Sequence, residues 1–231
     1  GSKSNVFQVL NHKIFKNFQA LQIKYNKKIY KLKINLYGSI QIKNLLMAIL
    51  ASKVCGLKIE NIFKKIQKIK SVDGRLQLIR TLPNKSKIFL DYAHTPDALE
   101  NAILSLKEHF QKRVTVIFGC GGERDKNKRK LMGKIAKKYC DKIYITDDNP
   151  RNENAKKIRI DIMKGLKNSM AKEIGNRKKA ILYALKNSNP YEVILIAGKG
   201  HETYQDLGKR KIFLSDKKIV KNFTIPNTHF N

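Results

Sequence analysis

Between residues 88 and 214 short apolar runs alternate with amphipathic stretches, and this alternation leaves few folds open. The runs at 88–91, 114–119, 142–147 and 193–198 are nearly continuous in Ile, Val, Leu and Phe, as strands buried on both faces are; 211–214 is a weaker one. Between them the periodicity predicts helices over 96–110, with Thr95 as N-cap, and over 131–139, 155–170 and 178–186. Ser215 and Asp216 cap a last short helix. Strands alternating with helices predict an α/β fold with a Rossmann-like, mostly parallel, doubly wound sheet. Upstream the texture differs. Residues 6–36 alternate polar and apolar, as half-buried antiparallel strands do, with a turn at Asn26, Lys27 and Lys28. Helices follow over 42–55, closed by Gly56, and over 59–69; residues 72–75 read as a connector. The change places a domain boundary near residue 75, giving domains 1–75 and 76–231.

In an open α/β sheet, ligands sit beyond the carboxyl ends of the strands. Polar clusters follow the apolar runs at those ends: Asp91-Tyr92-Ala93-His94, Gly119 to Asp125, Asp147 to Arg151, and Gly198 to Glu202. The glycine-rich cluster fits neither GxxxxGK[ST] nor GxGxxG, because Arg124 stands where the last glycine would be. It reads either as a tight turn with a solvated basic tail or as a loop whose Arg124 grips a carboxylate. Asp148-Asn149-Pro150-Arg151 offers an anion, an amide and a cation on a loop stiffened by proline, which suits a zwitterion; a helix-capping turn would look the same. Gly198 and Gly200 allow close backbone approach, and Glu202 could meet an ammonium or stay a surface charge. Asp91 could accept from ribose hydroxyls with His94 nearby, or could be a cap.

Composition excludes more than it selects. Lys+Arg 49 against Asp+Glu 18 gives +31, which would fit a polyanion partner. The lysines are dispersed from Lys3 to Lys221, so nucleic acid is discounted as a partner. Cys55, Cys120 and Cys140 form no CxxC pair, which argues against disulfides and zinc and for a reducing cytoplasm. The longest apolar stretch, 45–51, is too short to cross a bilayer, and the polar start shows no leader.

Together the clusters carry a resemblance. DYAHTPDALE (91–100), GCGGERDKNKR (119–129), TDDNPR (146–151) and GKGHE (198–202) resemble, in order and spacing, the C-terminal part of the Mur ligases, most nearly the branch that adds meso-diaminopimelate. The resemblance covers residues 41–220. It implies that 1–75 is the C-terminal end of the central ATP-binding domain and 76–231 the C-terminal, amino-acid-binding domain. It implies an ATP-dependent amide-forming ligase that activates a carboxylate of UDP-MurNAc-dipeptide as an acyl phosphate for attack by the amino acid. By residue, it places meso-diaminopimelate at Arg124, Asp148, Asn149, Pro150, Arg151, Gly198 and Glu202, and nucleotide at Asn44, Arg75, Asp91 and His94. It gives this chain no catalytic residue and no metal ligand of its own. ATP and Mg2+ would be held mainly through parts this sequence lacks: there is no GxxGKT loop, so a companion chain is expected to carry the N-terminal and P-loop portions. These 231 residues alone should then release no phosphate from ATP when given the full substrate set. Gln41 replaces the first of two asparagines in the resembling helix, Glu123 an aspartate, and Lys130 a common proline. Other readings are a non-catalytic binding module, or a lysine-adding or folylpolyglutamate-type ligase; the DNPR loop points away from the last two.

Overall fold

The computed structural model describes residues 7–224. The polar start, read as lacking a leader, lies outside them, as does residue 6 of the alternating stretch. The alternation yields three antiparallel strands, β1 (Gln8–Phe15), β2 (Phe18–Tyr25) and β3 (Lys28–Ile34), in sheet order β1-β2-β3. Asn26 (φ 48°) and Lys27 (φ 62°) both turn left-handed between paired Tyr25 and Lys28, the backbone twist a two-residue hairpin requires. Helices α1 (Ser39–Val54) and α2 (Ile59–Ile66) cover this sheet. Leu21, Ile23 and Ile34 of the sheet form one core with Ile42, Ile49, Phe63 and Ile66 of the helices.

The second sheet has the order β4 (Gln77–Thr81), β5 (Lys87–Asp91), β9 (Val193–Ala197), β6 (Val114–Phe118), β7 (Cys140–Ile145), β8 (Lys172–Glu173). Only β4 runs antiparallel to its neighbour. Helices α3 (Pro96–Phe110), α4 (Asn127–Tyr139) and α5 (Ala155–Met163) pack on one face through Leu99, Ile103, Met132, Ala136 and Ile158. On the other face α6 (Arg177–Lys186) and α7 (Asp216–Lys221) pack through Ile181, Leu185 and Val220. Hairpin β10 (Tyr204–Asp206) and β11 (Lys211–Phe213) stands as its own two-stranded sheet. The last-sequenced central strand, β9, inserts between β5 and β6, so the strand ends bearing the four polar clusters are consecutive neighbours. Adjacent strands lie about 5 Å apart, and that spacing brings the clusters together.

Several boundaries differ from the periodicity. α4 starts at Asn127, four residues early, inside the basic run; Lys126 and Lys130 stay exposed while Arg129, 1% exposed, turns inward. α5 stops at Met163 instead of 170: the N–H of Gly165 bonds the Ile162 carbonyl (2.9 Å), and Gly165 lies against Lys130 and Gly133 of α4. α2 stops at Ile66 instead of 69, because Lys68 and Ile69 tighten into i−3 bonds. Strand β4 was not expected; its pattern is only weakly apolar.

Cys120 and Cys140 are buried and Cys55 is exposed. Burial pushes both buried thiols up to about 12. At pH 8 their thiolate fraction is about 10⁻⁴, and only thiolate alkylates readily. Iodoacetamide at pH 8 should therefore modify one thiol in the native chain and three in denaturant, read by intact mass.

Candidate functional site

The rim is built from backbone outward. The loop after β6 lies on the loop after β7: Thr146 N donates to Phe118 O (3.0 Å) and Gly122 N to Asn149 O (2.9 Å). Gly198, at φ +110°, closes the seam from β9; a Cβ there would sit 2.6 Å from Asp148 Oδ2. Any side chain at Gly198 would thus displace the Asp148 carboxylate.

The predicted amino-acid ligands converge on this seam. Asp148 is 8% exposed, and its Oδ1 accepts from Asn149 N (2.7 Å). The Asn149 amide donates to Glu202 Oε2 (3.1 Å) and accepts from Asp206 N (3.0 Å). Arg151, left-handed at φ 51°, donates from Nη1 to Gly122 O (2.7 Å), with its Nε 3.8 Å from Asp206 Oδ2. A Cβ at Gly121 would meet Arg151 Nη1 at 3.0 Å and Arg124 Cγ at 3.9 Å, so both arginines flank one loop position. Arg124 is exposed and has no hydrogen bond among the described residues. Pro150 holds the bend; Glu153 N bonds its carbonyl (3.0 Å). Two guanidiniums, Arg124 and Arg151, thus border Gly121, and two carboxylates, Asp148 and Glu202, border the seam with the loop after β9.

The residues assigned to nucleotide are less gathered. Asp91 Oδ2 accepts from Leu76 N (2.7 Å) and Oδ1 from Ala93 N (2.8 Å); burial raises its pKa, and those two N–H groups pull it back. Asp91 therefore ties the connector to the rim. The Arg75 guanidinium lies 4.8 Å from the Tyr92 ring centroid, and His94 and His201 lie 4.8 and 5.6 Å from it. This is an exposed platform of one cation and three rings. Gln41 Nε2 bonds Arg75 O (3.3 Å), whereas no hydrogen bond joins the exposed Asn44 to the rim. Gly74, φ +68°, fits the connector against the 198–202 loop: a Cβ there would lie 2.7 Å from Gly200 C.

Sequence reasoning missed the buried cations. Lys199 is fully buried, and its Nζ donates to Asn149 Oδ1 (2.9 Å) and Glu202 Oε2 (2.8 Å). It joins the two loops that carry the carboxylates. Arg177, also fully buried, grips Asp216 (2.9 and 2.8 Å) and donates to Ala197 O (3.0 Å) and Asp147 O (3.4 Å), the ends of β9 and the β7 loop. Arg129 fixes α4 to Glu153 (2.9 Å) and Asp161 (3.2 Å). A signal was present for Arg177 and Arg129. Each sits three and four residues before buried apolar positions of its own helix. Lys199→Met should leave the Glu202 carboxylate without its counter-charge, held only by the Asn149 amide. Affinity for the rim's amino-acid ligand should fall by about tenfold or more, measured calorimetrically.

Among the described residues no group of three or more His, Cys, Asp or Glu could hold a metal ion.

Against known proteins, the family profile described as "Mur ligase, glutamate ligase domain" matches residues 74–200. The chain belongs to the Mur ligase family. Within it, the UDP-N-acetylmuramoyl-L-alanyl-D-glutamate–2,6-diaminopimelate ligase of Rickettsia typhi is 44% identical over 208 residues, covering 89% of this chain and 41% of the relative. The ligase of the same name from Haemophilus influenzae is 43% identical over 190 residues, 81% of this chain and 38% of its own. A solved structure of a ligase with that name superposes with a TM-score of 0.69 at 28% identity, over 95% of this chain and 45% of that one. Folylpolyglutamate synthase of Mycobacterium tuberculosis, at 20% identity and TM-score 0.66 over 83% of this chain and 45% of its own, shares the fold. The chain thus spans about two fifths of the length of the curated relatives it matches.

Proposed function

We propose that this chain is the amino-acid-binding portion of an ATP-dependent ligase that adds meso-diaminopimelate to UDP-MurNAc-L-Ala-D-Glu in the cytoplasm. One observation carries the reading: Arg124 and Arg151 flank Gly121 while Glu202 is bound to Asn149 on the same loop seam. Arg124 and Arg151 with Asp148 and Glu202, Lys199 pairing Glu202 and Asp206 lying near Arg151, make a rim of mixed charge that suits an amino acid with two carboxylates and two ammonium groups. Arg124 and Arg151 would take the carboxylate that lysine lacks; Asp148 and Glu202 would take the neighbouring ammonium. The chain's part is to bind and orient the amine nucleophile. The nucleotide would meet the Arg75–Tyr92–His94 platform, with Asp91 holding the connector and Asn44 reaching it from α1. ATP's phosphates and Mg2+ belong to this reading through residues outside this sequence.

The domain boundary near residue 75 belongs to the same reading. Two separate cores support it, one from Leu21 to Ile66 and one built on the parallel sheet. Helix α1 buries Ile42, Leu45 and Ile49 but leaves Met47 and Val54 68% and 88% exposed on another face. A helix apolar on two faces fits a companion segment laid against it. The test is calorimetric titration of meso-diaminopimelate and L-lysine into the 231-residue chain. Preference for meso-diaminopimelate is expected; equal affinities would remove the proposal.

A further inference from the structure

At the other end of the sheet, where β5 and β9 begin, a cavity of about 260 Å³ lies between the β1–β2 turn and the parallel sheet. Lys16, Lys85, Lys87, Lys112, His109 and Tyr191 line it, and no Asp or Glu does. Lys16 comes from the β1–β2 turn, Lys87 from the start of β5, and Lys112 from just beyond α3. The Lys16 and Lys112 ammonium groups each lie 5.4 Å from the Tyr191 ring centroid, so one ring borders two cations. Lys87 Nζ reaches only Asn17 Oδ1 (3.3 Å), and Lys112 Nζ only Tyr191 O (3.4 Å); among the described residues no carboxylate pairs with any of the four lysines.

His109 supplies an independent sign. It is 5% exposed, wedged between Tyr37 (5.0 Å) and Phe110 (4.7 Å), and among the described residues neither ring nitrogen makes a well-aligned hydrogen bond, the Lys16 and Phe15 backbone being near polar neighbours. A buried ring nitrogen without a partner carries a desolvation penalty that a ligand can relieve. The charges feel one another. Burial, then Lys16, pushes the Lys87 ammonium below its usual range. Burial pushes His109 down, with the Lys87 charge adding to that and the Lys16 backbone and Glu108 opposing it. Like charges gathered in a concave site without counter-charge form an anion's binding site.

We propose that this cavity binds a diphosphate anion, with the four lysines neutralising it and His109 donating a hydrogen bond to it. At about 260 Å³ the cavity has room for two phosphoryl groups. The anion would fasten the β1–β2 hairpin to the parallel sheet. It lies at the opposite strand ends from the amino-acid rim, so the inference stands apart from the function proposed above.

The experiment titrates inorganic pyrophosphate and, separately, ADP into the full chain at constant ionic strength, read by calorimetry and by melting temperature. Saturable binding is expected. The Lys16→Gln/Lys87→Gln pair should weaken it by at least about tenfold, since each lost charged contact matters by that order. Lys178→Gln/Lys179→Gln on α6, which removes equal charge elsewhere, should leave it unchanged. His109→Phe keeps the aromatic packing and should weaken binding by about threefold or more. Binding of ADP as tight as that of pyrophosphate, and weakened with it in the Lys16→Gln/Lys87→Gln pair, would assign the diphosphate to a nucleotide; ADP binding that this pair leaves unchanged, or none, would assign it to the free anion. Either supports the site. Equal loss in both lysine pairs, or stabilisation that rises with added anion and never saturates, would mean charge screening alone and overturn it. So would a lower melting temperature of the unliganded Lys16→Gln/Lys87→Gln variant, because the lysines would then already be compensated.

Discussion

Arg177→Met is expected to lower the stability of this chain by about 3–5 kcal/mol, because it strands a carboxylate that has no water to turn to. Arg177 and Asp216 are both 0% exposed, and their side chains meet at 2.8 Å through a two-toothed contact. With the guanidinium gone, Asp216 keeps its desolvation cost and loses its counter-charge. Ala197 O and Asp147 O lose a donor in the same step. In a chain of this size the loss corresponds to a fall in melting temperature of roughly 6–20 °C. The double variant Arg177→Met/Asp216→Leu should regain most of it, since replacing both members of a buried pair by apolar groups is often near neutral. Thermal unfolding of the two singles and the double measures the coupling. A single variant that melts within about 2 °C of the parent would show that the pair does not hold the strand ends.

The second large effect is on selectivity. The parent chain should prefer meso-diaminopimelate over L-lysine by about 10²–10³, because lysine would leave a guanidinium of the rim desolvated and unanswered. Arg151→Ala should bring that ratio to within about tenfold, chiefly by weakening meso-diaminopimelate binding. Arg151→Lys should recover little, since a point charge cannot both hold Gly122 O at 2.7 Å and face a carboxylate as the planar fork can. Competition titrations on parent and variants read the ratio. A ratio unchanged in Arg151→Ala would place the discriminating contact elsewhere.

Particular elements show how far the chain alone could be read. Thr95 as N-cap, Pro96 as the first helical residue and the apolar run at 114–118 were all legible, and the structure has them: Thr95 Oγ1 accepts from Ala98 N at 3.3 Å, and β6 is buried throughout. So were the clusters at the strand ends, since a parallel sheet lets only its carboxyl edge collect loops. Arg129 was not. Amid so many lysines and arginines a basic residue reads as surface, and its helical spacing to buried positions says nothing of the distant partners, Glu153 and Asp161, that draw it inward. The premature end of α5 was equally hidden, because the cause is the α4 backbone packed beside Gly165.

By itself, then, the order of residues determined the main element types and the mostly parallel sheet, and it marked the loops that border the rim, for those follow from periodicity and from caps a few residues apart. Tertiary structure alone decided that β9 enters between β5 and β6, and that Lys199 and Arg177 are buried cations binding that rim together. Partners such as Arg177 and Asp216 stand 39 residues apart along the chain. Their charges are matched only once burial removes water as the alternative partner, and that removal is a property of the packed molecule.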